Sequence, residues 1–137
     1  MKLTCSKPEL VLVGLAFGIG VFLRMAHLDR LAVEHFDEGV YAAGLWHEEA
    51  AGTTYPVRHL YAPPLLPKMM EVCSAITGHQ SWGVFLPSLV LGCATIPLMW
   101  WLARMCFGMN AGLFVGYVVA LSDYHIQFSR MALTDAP

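Results

Sequence analysis

The chain has 137 residues, 57% of them hydrophobic and only 13% charged, about half the charge share of an ordinary soluble domain. Its mean hydropathy of +0.56 belongs to a membrane protein, and a formal net charge of -2 with no Lys/Arg cluster excludes a nucleic-acid partner. Cys5, Cys73, Cys93 and Cys106 are widely spread without a C-x-x-C pair, which excludes a zinc knuckle and a redox dithiol and leaves them as embedded free thiols.

Taken in order, a short polar lead with Lys2 and Lys7 precedes an apolar run in which Gly14, Gly18 and Gly20 are spaced as close-packing residues of a membrane helix. Read over 10–28, the run has about the 20 residues a bilayer needs, with Arg24 snorkelling at the far end. A cleaved signal peptide also starts this way, but no small-x-small cleavage site follows, so the segment is read as an anchor. Two basic residues before it put the N-terminus in the cytoplasm and the following loop on the outer face, although Arg24, Arg30 and Arg58 run against the positive-inside rule.

The loop spans 29–81 and opens with a polar island, Glu34-His35-Phe36-Asp37-Glu38-Gly39-Val40-Tyr41-Ala42. Asp37 is placed to cap a helix over 40–49, in which Tyr41 with Leu45 and Ala42 with Trp46 form an apolar side at i, i+4. Such a helix lies on the membrane surface with Trp46 at headgroup depth. After Pro63-Pro64-Leu65-Leu66-Pro67, a second helix over 66–77 carries Lys68 and Glu71 and is too short to span, so it is read as juxtamembrane.

Two further spans are expected over 82–103 and 111–128, separated by a tight turn at Phe107-Gly108-Met109-Asn110 with Arg104 on its cytoplasmic side. Three crossings return Arg130 and Asp135 to the face that carries Asp37 and Glu38. The whole of 1–137 therefore reads as part of one all-α, polytopic helical bundle in the inner or plasma membrane. Because the sequence stops just after a charged motif, it is expected to be the N-terminal part of a longer protein and inactive by itself.

Two constellations could carry chemistry. Asp37 and Glu38 could hold a divalent cation, act as a general base, or merely cap a helix; His35 and His47 lie nearby without metal-ligand spacing. Arg130 and Asp135 could form a local ion pair, or Arg130 could face a phosphate, for which its fork of donors is suited, while Asp135 joins the first acidic pair.

The order Phe36-Asp37-Glu38-Gly39-Val40-Tyr41-Ala42, Tyr61-Ala62-Pro63-Pro64-Leu65-Leu66, Leu86-Pro87-Ser88-Leu89-Val90-Leu91-Gly92, Phe107-Gly108 with Ala111-Gly112-Leu113, and Ser129-Arg130-Met131-Ala132-Leu133-Thr134-Asp135-Ala136-Pro137 resembles the start of the GT-C glycosyltransferases. Within them it is similar to the branch of the protein O-mannosyltransferases and the lipid A aminoarabinose transferase. The resemblance implies a membrane enzyme that moves a sugar from a polyprenyl-phosphate donor to an acceptor on the outer face with inversion. Asp37 would then activate the acceptor hydroxyl, Glu38 would sit beside it, and Arg130 and Asp135 would hold the donor phosphate or the acceptor. Relatives often carry His or Glu-Lys before Pro-Pro-Leu, where this chain has Tyr61-Ala62; His59 and Lys68 are the candidates to take that place. Phe85 stands where relatives often have Arg. The rival reading is a non-catalytic polytopic protein, a transporter half or an assembly subunit, with the acidic loop as plain surface.

Overall fold

The computed structural model describes residues 5–31, 65–78 and 80–132. Among these, every regular element is helical.

The first helix, α1, runs over Lys7–Met25 and begins earlier than the apolar run alone indicates. Ser6 accepts the amide of Glu9 at 3.4 Å, so Ser6-x-x-Glu9 is the start signal, and Pro8 fits the first turn because no partner is needed for its missing N–H. The helix stops at Ala26, where His27 takes a left-handed φ of 56°, and a 3-10 turn over Leu28–Arg30 follows. The segment assigned to the first surface helix, 40–49, lies outside the described residues.

The second helix, α2, covers Leu65–Ile76. Leu66, Met70 and Ser74 recur every four residues and are buried, whereas Leu65, Val72 and Ile76 face outward. At 1.5 Å per residue its 12 residues reach about 18 Å, well short of the roughly 30 Å hydrocarbon core. A 3-10 turn over Ser81–Phe85 leads into α3, Leu86–Phe107. Gly108, at φ 92°, is the whole of the connection to α4, Met109–Leu121; a left-handed φ with no Cβ lets two long helices reverse within one residue.

Where one span over 111–128 is expected, the chain breaks. Helix α4 ends at Leu121, Ser122 turns extended with ψ 114°, and a separate seven-residue helix, α5, runs over Asp123–Ser129. The cause is side-chain chemistry: the Ser122 hydroxyl accepts the His125 amide at 3.3 Å and starts a new helix instead of continuing the old one.

Helices α1, α3 and α4 form the bundle. Small residues set its spacing: a methyl group at Gly112 would stand 3.0 Å from the Trp100 carbonyl and 2.8 Å from Arg104 Cβ, and Gly116 lies against the Trp100 side chain. Ala16, Ile96 and Ala120, one from each helix, close the centre. A second cluster at the other side of the break joins Leu66, Met70, Val84, Phe85, Leu89 and Ala132, with Leu28 and Leu31 packed on it. Two stretches, Lys7–Met25 and Trp82–Phe107, are long and apolar enough to cross a membrane; α4 is apolar but shorter.

Candidate active site

The described part of the site is built where α1 ends, α4 breaks and α5 begins. Arg24 stands there with no exposed surface at all. This corrects its reading as a snorkelling residue: Nη1 donates to the Gly20 carbonyl at 3.0 Å and the Ala120 carbonyl at 3.2 Å, and Nη2 donates to the Val119 carbonyl at 3.0 Å. The last carbonyls of a helix have no amide in the next turn, and the break at Ser122 leaves those of Val119 and Ala120 in that position. A guanidinium is the group best suited to them, since it carries several donors in a fixed fork and a charge that complements the negative end of the helix dipole.

The same Nη2 lies 2.9 Å from Nδ1 of His125 on α5. A guanidinium only donates, so Nδ1 accepts, and the ring is the neutral tautomer with its proton on Nε2. Burial first, and then the Arg24 charge, hold the His125 imidazole below its ordinary range; α5 lies beyond the last apolar helix. Ser129, one turn on, donates to the His125 carbonyl at 2.5 Å and touches Nδ1 at 3.1 Å. Its side chain fills the space that Gly92 of α3 leaves open.

Arg130, a sequence candidate, follows directly. It is half-buried, and its Nη1 donates to the Leu23 carbonyl at 3.3 Å. Arg24 of α1 thus caps α4 and grips α5, while Arg130 at the end of α5 caps α1. Among the described residues no carboxylate pairs with Arg130. Lys68, in contrast, projects from the exposed side of α2 and is paired with Glu71 at 2.6 Å, and no described contact brings it to Arg130. Asp37, Glu38, His59 and Asp135 lie outside the described residues. Leu31 and Ala132, the described residues next to two of these segments, meet in one apolar cluster with Leu66 at this end of the bundle. No group of three or more metal-ligating side chains occurs among the described residues.

Beside the site an apolar groove of about 460 Å³ runs between α1 and α3, past Met25 and Trp82 near the loop end down to Phe17 and Pro97. Its walls are almost wholly hydrocarbon.

At the opposite end of the bundle, Glu9 in the first turn of α1 forms a two-pronged pair with Arg104 in the last turn of α3, Nη2 to Oε2 at 3.2 Å and Nε to Oε1. By position alone Glu9 closes the polar lead that carries Lys2 and Lys7, and Arg104 belongs to the turn after the second long span. The pair needed the antiparallel packing of α1 and α3 to be seen, whereas the Ser6-x-x-Glu9 start signal was available from sequence.

By its long apolar helices the described part of the chain is that of a helical integral membrane protein. Residues 61–137, more than half of the chain, match the family described as dolichyl-phosphate-mannose-protein mannosyltransferase, and the chain belongs to that family of membrane glycosyltransferases, whose fold is of the helical GT-C type. No curated protein and no solved structure matches it.

Proposed function

We propose that the chain forms part of an enzyme that moves a sugar, mannose or a related pyranose, from a polyprenyl-phosphate donor to an acceptor on the outer face of the membrane. The observation that carries this reading, beyond family membership, is the placement of Arg130. It is a cation without a carboxylate partner among the described residues, held at the end of the bundle from which both acidic segments depart. A phosphate leaving group gains charge as the glycosidic bond breaks, and a fixed guanidinium beside it stabilises that charge.

In this reading Asp37 takes the proton of the attacking acceptor hydroxyl, Glu38 supports it or shares a divalent cation with it, and Asp135 completes the cavity. Attack from the face opposite the phosphate inverts the anomeric centre. The α1–α3 groove, apolar throughout, suits the isoprenoid chain of the donor. His59 and Lys68 rank behind Arg130 as phosphate contacts, Lys68 because its ammonium already has Glu71. An N-terminus in the cytoplasm and a place in the protein O-mannosyltransferase or aminoarabinose transferase branch belong to the same proposal.

The test is transfer of labelled mannose from polyprenyl-phosphate mannose by the full-length protein in lipid nanodiscs, with and without Asp37→Asn. Transfer that Asp37→Asn abolishes supports the reading. Equal transfer by both removes Asp37 from the mechanism.

A further inference from the structure

Arg130 is delivered by a helix of only seven residues, too short to be stable by itself, so something else must fix its direction. The contacts of α5 identify what does. Its start is capped by Ser122, but a cap fixes only where a helix begins. Against α3 it is seated by Ser129 in the space at Gly92, a contact near its far end, and its polar ties to α1 are Arg24 to His125 and Arg130 to the Leu23 carbonyl. The first of these depends on one lone pair.

We propose that His125 is a positioning residue for the glycosyl-transfer site: its neutral Nδ1 anchors α5 to the buried Arg24, and through that anchor sets where Arg130 points. The inference rests on the proposed transferase reading for what Arg130 does, and on contact geometry alone for the anchor.

Protonation of His125 removes the lone pair and sets two cations 2.9 Å apart. Among the described residues nothing near the ring relieves that conflict. From α1 it faces Arg24; from α3 the titratable group near that guanidinium is the Cys93 thiol; α4 offers only backbone carbonyls; on α5 itself the ring meets Ser129, while Asp123 is exposed at the first turn. Among the described residues no carboxylate is hydrogen-bonded to His125. Arg24 cannot retreat without releasing the Val119 and Ala120 carbonyls, so α5 is the element that moves. The anchor is therefore an acid-sensitive latch, closed when His125 is neutral and opened by one proton.

The experiment uses full-length protein in nanodiscs, with His125→Asn and His125→Leu. Asparagine offers an amide oxygen near the place of Nδ1 and does not titrate; leucine offers no acceptor. Wild-type kcat for transfer from polyprenyl-phosphate mannose is expected to fall on acidification below the ordinary imidazole range. His125→Asn is expected to keep kcat within about three-fold at neutral pH and to lose that acid limb, and His125→Leu to lose about ten-fold or more at every pH, as misplacement of a binding group does. An acid limb that persists unchanged in His125→Asn overturns the proposal. Hydrogen exchange at the Ile126 and Arg130 amides is read on the same samples: the latch requires protection that acid removes in wild type but not in His125→Asn, and equal loss in both overturns it. If wild-type protein transfers no mannose, mannose as the donor sugar is ruled out while the exchange measurement still decides the latch.

Discussion

The guanidinium of Arg24 and the imidazole of His125 meet at 2.9 Å at the point where one apolar helix stops and a short one starts, and that contact joins three helices through a single buried side chain. Arginine is costly to bury, and here that cost is offset by hydrogen bonds to the helix-end carbonyls that the break at Ser122 frees.

Removing Arg24 should therefore cost more than a snorkelling arginine would. Arg24→Met leaves the carbonyls of Val119 and Ala120 and the Nδ1 of His125 without their donor, at about 1–3 kcal/mol for each buried group left unsatisfied. Arg24→Lys restores charge but not the fork, and recovers only part of the loss. Thermal unfolding in detergent checks this; equal melting temperatures for wild type and Arg24→Met would show that the cap carries no stability.

Glycine spacing gives a contrast between two sites on different helices. Gly112→Ala brings a methyl group to 3.0 Å from the Trp100 carbonyl, a backbone atom that cannot step aside, so α3 and α4 must part, at about 1–3 kcal/mol. Gly14→Ala meets nothing within 4 Å and should be neutral or stabilising by up to about 1 kcal/mol. The two melting curves, measured side by side, distinguish packing from a general effect of glycine loss.

The Glu9 and Arg104 pair makes a third test. Glu9→Met or Arg104→Met alone leaves a charge without its partner and should lower the melting temperature; the double variant carrying both should lose less than the sum of the two. Additive losses would mean that the two side chains do not act as a pair.

Stability should also depend on pH through His125. Its folded-state affinity for a proton is held below the ordinary value, so the unfolded chain binds the proton more readily, and stability rises with pH across that window. The contribution is complete above the ordinary imidazole range, about pH 6.5, and is lost progressively below it. A melting-temperature series from pH 7.5 to 5 on wild type and His125→Asn should show a slope in the first that is reduced in the second.

For the transfer itself, Arg130→Ala should lower kcat by about 100-fold or more if the guanidinium meets the developing phosphate charge, and Arg130→Lys should recover a fraction of it. Lys68→Ala, which disturbs only an exposed pair with Glu71, should change little. Steady-state kinetics on the full-length enzyme separate the two.

Much of this was legible from local pattern. The apolar runs, the shortness of the Lys68 helix and the order of the motifs all follow from composition and spacing, which act over one or two turns. The break at Ser122 was within reach of the same reasoning, since a serine followed by an acidic residue is a start signal even inside an apolar stretch. It was masked by hydropathy, which counts residues and does not see that a hydroxyl offers the backbone another partner.

Sequence by itself determined that this chain is helical, embedded in a membrane and a member of a mannosyltransferase family, because hydrophobic length and motif order are properties of the chain. Tertiary structure decided what the charges do. Arg24 reads as an ordinary residue at the end of a span until the carbonyls of a helix nearly a hundred positions away are placed against it, and Glu9 reads as a polar lead until Arg104 arrives. A buried charge is tolerable only with its partners present, and those partners come from the fold.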